Sequence, residues 1–363
     1  MTLRVGFDAA ALVLNRAGEF RYAAALRAAL HAREDVDLHE LWPGRRAPRH
    51  MAGRIALQAA VQGLWYPLAV PRAARRARLD VLHHPRYGVT PEPGLRTPVV
   101  VTMHDVLVLS APELFSAPIR ANFRALAGPL ARRAAVVLTG SQASARDIAE
   151  HLRVAPERIR VAPYGVEPRF RPAPAGQDLL GRLGIDRPYV ACVGTLEPRK
   201  NLVTALRAFA RISERRGDEV ALVVVGGRGW RNEAFDREVR RVRGKVVLTG
   251  FLSDEDLVGV LAGARCFLYP SLYEGYGFPP LEAMACGTPV VTSATSSLPE
   301  VVGDAGLLVD PRDEEAVADA VERVLGDDAL HAALRRAGLE RAASYTWQRC
   351  AAETVDAYRQ ATA

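Results

Sequence analysis

Lysine is almost missing from this chain: it occurs only at Lys200 and Lys245, and 46 of the 48 basic residues are arginine. The net charge of +7 over 363 residues therefore reflects an arginine-rich composition, not a surface selected for polyanions. No helix-turn-helix, zinc-finger or RNA-binding signature accompanies it, so nucleic acid is not an expected partner. Cysteine is scarce as well. Cys192, Cys266, Cys286 and Cys350 are widely spaced in apolar segments, with no C-x-x-C pair or Cys/His cluster. That argues against a disulfide framework or a thiolate metal site and fits a reducing cytoplasm. Long apolar runs are lacking too. The uncharged stretch from Ile55 to Pro71 is broken by Gln58, Gln62, Pro67 and Pro71, too often to span a bilayer. The opening residues place Asp8 within their apolar run and read as a first strand, not a signal peptide.

What is present is globular. Hydrophobic residues make up 49% and charged residues 25%, and the length suits two domains better than one core. Short apolar strands alternate with helix-patterned segments, which predicts α/β architecture with parallel sheets. The first half reads as strands at Leu3–Phe7, Val36–Leu41, Val81–His83, Val99–Met103, Val136–Thr139 and Ile159–Ala162. Pro and Gly in Arg169 to Gly176 mark a connector, which predicts domains over 1–172 and 177–346. The second half reads as strands at Tyr189–Val193, Leu222–Val225, Val246–Leu248, Cys266–Tyr269, Val290–Thr292 and Leu307–Val309. An amphipathic helix over about 347–363 then follows a domain already complete. Doubly wound sheets bind ligands at the carboxyl ends of their strands.

Chemistry-bearing residues cluster at those ends. The most informative stretch runs from Leu268 to Val291: a strand, a glycine loop with Glu274, a helix start with Glu282, and another strand. Helix-tip amides suit phosphate oxygens, and carboxylates accept hydrogen bonds from sugar hydroxyls. A nucleotide sugar has both groups. Gly275 and Gly277 permit close backbone approach. The loop from Gly194 to Asn201 carries Arg199 and Lys200, able to neutralise a departing diphosphate; a solvated basic turn is the alternative. Glu282, placed in the first helical turn, is also explained as an acid favourable at a helix N-terminus. His104 and Asp105 follow the strand ending at Met103, as a catalytic pair or as a structural histidine beside a capping acid. Asp254-Glu255-Asp256 matches a metal-binding D-x-D pattern, but after Ser253 it reads as a helix cap with an acidic first turn. Gly226-Gly-Arg228-Gly-Trp230 lacks dinucleotide-loop spacing, leaving Arg228 as a phosphate or sugar contact. Arg72, Arg75, Arg76 and Arg78, after Trp65 and Tyr66, suit either a solvated helix face or peripheral contact with anionic lipid.

Taken together these motifs resemble family 4 of the retaining, GT-B-type glycosyltransferases, especially its mannosyltransferase-like branch. The resemblance runs over nearly the whole chain, from Gly18 to Tyr22 and Val101 to Asp105 through Gly194 to Leu202, and is most specific from Pro270 to Val291. It implies two Rossmann-like domains facing across a cleft, with the C-terminal helix crossing back to the N-terminal, acceptor-binding one. It also implies a nucleotide-diphospho sugar held mainly by the second domain, without a required metal or other cofactor. By matching position, Arg199 and Lys200 would bind the diphosphate, Glu282 the ribose and Glu274 the donor sugar near the reacting centre. His104 would face that sugar, and the loop at Gly18 would approach the diphosphate. Gly277, Phe278 and Leu281 would border the donor, with the base near Phe251 and Leu252. Where many relatives carry arginine after the first glycine, this chain has Thr195, so that phosphate contact is absent or comes from Arg228. The expected activity is transfer of a hexose, with retention, from a UDP- or GDP-sugar to a hydroxyl acceptor: a glycan, a lipid-linked glycan or a small natural product. GDP-mannose is preferred on the resemblance alone. An epimerase or phosphorylase on the same fold, or a non-catalytic nucleotide-sugar-binding subunit, are the competing readings.

Overall fold

The computed structural model describes residues 2–14, 18–44, 51–173, 176–230 and 232–363. The chain divides into two units, Met1–Gly165 with Thr346–Ala363, and Val166–Tyr345. Each is built on six parallel strands with helices on both faces. In the first unit these are β1 (Leu3–Asp8), β2 (Val36–Leu41), β3 (Val81–His84), β4 (Val99–Thr102), β5 (Val136–Thr139) and β6 (Ile159–Val161), in the order β2-β1-β3-β4-β5-β6. The second has β7 (Tyr189–Val193), β8 (Ala221–Val225), β9 (Val246–Gly250), β10 (Cys266–Tyr269), β11 (Val290–Ser293) and β12 (Gly306–Val309), in the order β12-β11-β10-β7-β8-β9. Central strands such as Val99–Thr102 and Cys266–Tyr269 are buried at every position, which is why they read as continuous apolar runs and not as alternation. The strands expected from sequence stand within two residues of these bounds.

The strand order reverses direction between β1 and β3 in one sheet and between β7 and β10 in the other. At such switch points neighbouring crossovers go to opposite faces and leave a crevice at the strands' carboxyl ends. Residues singled out by sequence stand near both: His104 follows β4, next to β3 in the first sheet, and the loops after β7 and β10 form the second crevice.

The helix Trp347–Thr362 belongs to the first unit, where it packs against the helix Gly18–His31 and strands β3 to β6. Thr346 caps it, accepting a hydrogen bond from the Arg349 amide at 3.1 Å. Its apolar stripe, Trp347, Cys350, Ala351, Thr354, Val355 and Tyr358, is buried. Gly165 lies so close beneath it that a Cβ there would meet the Trp347 nitrogen at 2.3 Å. Inside, the Tyr358 hydroxyl is 2.7 Å from His83 Nδ1, His83 Nε2 is 2.8 Å from Thr102 Oγ1, and Thr102 reaches Tyr22 at 2.9 Å. Burial holds His83 down to about 3, so this chain of hydrogen bonds is neutral.

The segment expected to be a plain helix face is wider than an α-helix. Met51–Ala60 runs into a π-helix over Val61–Ala69 and then the helix Val70–Ala77. Pro67 sits inside the π segment, where the missing N–H makes a regular α-helical ladder impossible. Tyr66 is fully buried, while Leu64, Leu68, Arg72, Arg75 and Arg76 are exposed. Among the described residues no helix is long and apolar enough to cross a membrane.

Candidate functional site

The second unit's crevice is shaped by backbone before any charge is placed in it. After β7 the chain turns at Gly194, whose φ of 155° keeps it open, and the Lys200 side chain lies 3.3 Å from where a Cβ would stand. After β8, Gly226 at φ 149° lets the next loop press against the first; a Cβ there would sit 2.0 Å from the Gly194 carbonyl oxygen. Gly229 does the same at the Leu196 carbonyl, at 2.5 Å. The glycines of Gly226 to Gly229 thus seat one loop on another. Pro198–Lys200 forms a single 3₁₀ turn, and Asn201, left-handed at φ 54°, ends it. Its side-chain amide donates to the Pro270 carbonyl at 3.0 Å and the Pro311 carbonyl at 2.7 Å. The Leu272 amide and Ser271 hydroxyl donate to the Arg199 carbonyl at 2.9 and 3.1 Å, so the β7 and β10 loops form one body.

On that body four charges meet. Glu274 Oε1 is 2.7 Å from Lys200 Nζ and Oε2 is 2.6 Å from Arg199 Nη1. Oε1 also accepts from the Tyr269 hydroxyl at 2.8 Å and the Ser271 hydroxyl at 2.6 Å. Arg199 turns its other edge to Glu197, with Nη2 to Oε1 at 2.7 Å. Both cations are mostly covered, Lys200 with 11% and Arg199 with 19% of the side chain exposed. Burial is the largest single influence on Glu274 and would raise it. The charges of Arg199 and Lys200, with hydrogen bonds from Lys200 and Ser271, overcome that and hold the carboxyl down at about 2. Glu274 is therefore an anion at neutral pH, an acceptor and not an acid. Burial lowers the Lys200 ammonium, and the neighbouring Arg199 charge adds to this against the pull of Glu274. The cluster carries two cations and two anions. Any further anion entering it competes with carboxylates already in place.

The remaining sequence candidates lie around this centre with different fates. Gly277, at φ 127°, caps the helix Phe278–Ala285, and a Cβ there would meet Leu298 Cδ2 at 3.1 Å. Glu282 is the fifth residue of that helix, not a first-turn acid, because the helix begins at Phe278 ahead of both prolines; it is 2% exposed. The helix-dipole explanation for Glu282 falls with this placement, since the dipole's benefit fades within the first turn. Phe278 packs edge-on against Tyr276 at 5.2 Å, and Leu281 is fully buried in the core. Thr195 is exposed. Arg228 is also exposed and is paired with Asp236 at 2.6 Å, so its guanidinium is directed to the helix Glu233–Arg241. Leu252 is half-buried beside Phe251, which is 88% exposed. Ser253 accepts from the Asp256 amide at 3.1 Å, which makes the D-x-D stretch a capped helix start. Among the described residues no three His, Cys, Asp or Glu side chains converge on a metal-sized point.

In the first unit, His104 Nδ1 is 2.8 Å from the Tyr164 hydroxyl, and its ring stands edge-on to Tyr22 at 4.8 Å. Its Nε2 is shut off from solvent and makes no hydrogen bond of good geometry, though the Pro85 backbone acts on the ring. Burial lowers this histidine, against the opposing charges of Glu19 and Asp105. Asp105 accepts from the Leu107 amide at 3.0 Å, as a turn-capping acid does. Gly18 is the first residue of the helix Gly18–His31 rather than part of a loop, and nothing lies within 4 Å of where its Cβ would be. Ala17 lies outside the described residues. Sequence reasoning passed over Glu197, Tyr269 and Ser271, all within stretches already singled out; Tyr269 and Ser271 reach the Arg199–Lys200 turn across 69 and 72 positions, and Glu197 pairs with Arg199 two positions on.

Residues 18–170 match the family model described as Glycosyltransferase Family 4, and residues 181–341 match that described as Glycosyl transferases group 1. The chain is 33% identical to the O-antigen chain mannosyltransferase B of Escherichia coli, over 81% of this chain and 79% of the relative. It is 32% identical to the MMP alpha-(1->4)-mannosyltransferase of Mycolicibacterium hassiacum, over 80% and 73% respectively. Among solved structures, the sucrose-phosphate synthase of Thermosynechococcus elongatus superposes with a TM-score of 0.72 at 21% identity, covering 99% of this chain and 98% of that one.

Proposed function

Since the chain belongs to the family 4 glycosyltransferases and has the GT-B fold, we propose that it moves a hexose, mannose in first place, from a GDP- or UDP-sugar to a hydroxyl acceptor with retention of configuration. The observation that carries this is the Glu274–Lys200–Arg199 cluster at the β7/β10 switch point. The preference for mannose rests on the names of the relatives.

In this reading the second unit holds the donor. Lys200 and Arg199 take the diphosphate and carry the negative charge that grows on it as the glycosidic bond breaks, without a metal ion. Each retains capacity for this: of three Lys200 N–H groups two are engaged, by Tyr269 and Glu274, and Arg199 makes four polar contacts with its five. Glu274, ionised through the physiological range, binds hydroxyls of the donor sugar and stabilises the positive charge that develops at the sugar carbon. Retention follows from front-face attack, the leaving phosphate accepting the acceptor's proton. Glu282 binds the ribose, Gly277 and Phe278 line the donor, and Leu252 with exposed Phe251 offers a surface for the base. The first unit binds the acceptor, and His104, which follows β4, is its residue assigned to meet the transferred sugar.

The test is a thermal-shift panel of GDP-, UDP-, ADP- and dTDP-sugars, followed by proton NMR of the anomeric product. A selective shift identifies the donor, because a ligand that binds only the folded state raises its stability. Inversion of configuration, loss of turnover in EDTA, or near wild-type turnover in Lys200→Ala would each refute part of the assignment. Exposed Leu64 and Leu68 beside Arg72, Arg75 and Arg76 support a peripheral membrane contact as well. Co-sedimentation with phosphatidylglycerol vesicles but not phosphatidylcholine vesicles is the expected result.

A further inference from the structure

The loop after β3, Pro85 to Gly88, borders the first unit's switch point and plays no part in the chemistry above. It carries Arg86, whose Nε and Nη1 are closed to solvent and meet no hydrogen-bond acceptor. Among the described residues no carboxylate lies within ion-pair distance of it, in a chain that pairs arginines freely elsewhere. Three of the acids nearby have other partners. Asp8 holds the Tyr66 hydroxyl and His84 Nδ1, both at 3.0 Å. Glu92 holds Arg133 at 2.6 Å and faces His84 Nε2 at 3.2 Å. Asp105 accepts from the Leu107 amide. The Arg86 charge acts on the phenols of both Tyr66 and Tyr87, and Glu19 and Asp105 act on Tyr87 and His104 alike. The Pro85 backbone also acts on His104, so the Arg86 loop and that ring share one neighbourhood at the sheet's carboxyl edge.

A partly desolvated guanidinium without a counter-ion is unfavourable until an anion arrives, and its planar fork matches phosphate and carboxylate. Gly88 makes room for the guanidinium itself, since a Cβ there would stand 2.7 Å from Arg86 Nη2. We propose that Arg86 anchors an anionic subsite in the first unit, which takes the phosphate or carboxylate of a negatively charged acceptor. It rests on the glycosyltransfer reading only for calling the bound molecule an acceptor.

The experiment titrates the full chain with mannose 6-phosphate, glucuronate and methyl α-mannoside by calorimetry. The wild type binds at least one charged sugar about tenfold more tightly than the neutral one, and which one distinguishes phosphate from carboxylate. Arg86→Gln abolishes that preference and Arg86→Lys keeps part of it. Gly88→Ala, which shifts the guanidinium without removing its charge, weakens it. UDP and GDP binding stays at the wild-type level in all three variants, which also reports that they are folded. Equal affinity for charged and neutral sugars, a preference that survives Arg86→Gln, or no binding of either charged sugar overturns the proposal. Loss of nucleotide binding by the wild type, with the Arg86 preference intact, would instead refute the donor site.

Discussion

Replacing Glu274 by Gln separates two roles of the charge cluster. The carboxyl is held at about 2 against an ordinary 4.5, so ionisation of Glu274 favours the folded state by about 3 kcal/mol at neutral pH. For a depressed carboxylate that stability is complete above the ordinary value and is lost as pH falls through about 2. Glutamine cannot supply it at any pH, and it leaves Lys200 and Arg199 without their shared anion. Removing one partner of a buried ion pair costs about 3–5 kcal/mol. In a unit this size that lowers Tm by roughly 6–20 °C. The same change removes the negative charge that competes with a phosphate for Lys200 and Arg199. UDP or GDP should then bind Glu274→Gln about tenfold more tightly than wild type and restore much of the lost Tm, while sugar transfer disappears. Calorimetric titration with both nucleotides and a melting scan with and without them measure this. Unchanged nucleotide affinity with unchanged Tm would refute the idea that carboxylate and diphosphate compete for the same cations.

Three further outcomes are expected. His84 lies buried between Asp8 and Glu92; burial, the largest influence, lowers it, but Glu92 and then Asp8 raise it to about 9. Stability from this raised group is complete below the ordinary histidine value near 6.5 and is lost as pH rises through 9; melting scans from pH 6.5 to 9.5 should show the decline in wild type and a flatter profile in His84→Gln. Tyr358→Phe leaves His83 Nδ1 buried without a partner and should cost about 1–3 kcal/mol, read as a lower urea midpoint with unchanged nucleotide binding. Gly226→Ala places a methyl 2.0 Å from the Gly194 carbonyl, so the Gly194 loop must move and carry the Lys200 stem with it; weaker UDP and GDP binding in calorimetry is the expected readout.

The strands were legible because parallel sheets buried on both faces require unbroken apolar runs, and Val99–Thr102 or Cys266–Tyr269 look like nothing else. Lys200 and Glu274 were found for a related reason. Each stands in a loop just after such a run, and lysine is so rare here that its position carries information. Their direct contact was not legible, since 74 residues separate them and pairing across a sheet is set by strand order. Glu197 was given no role, and only the 3₁₀ turn, which folds Arg199 back onto it, reveals one. Glu282 was placed one residue too early, inside the first turn, because Pro279 was taken to mark the helix's opening, whereas Phe278 precedes it in the helix. Arg86 gave no signal at all. One arginine among so many is unremarkable until its neighbours prove to have other partners.

The helix from Trp347 to Thr362 also sets the order in which the protein can be finished on the ribosome. The first sheet is synthesised early, but the residues that cover it, Tyr358 among them, come last, after the 180 positions of Val166–Tyr345. At typical elongation rates that is a wait of roughly ten to forty seconds with an apolar face uncovered. The second unit is one continuous segment and can be complete before its predecessor in the sequence. A stop codon a few turns early would therefore spare the later-made sheet and harm the earlier one.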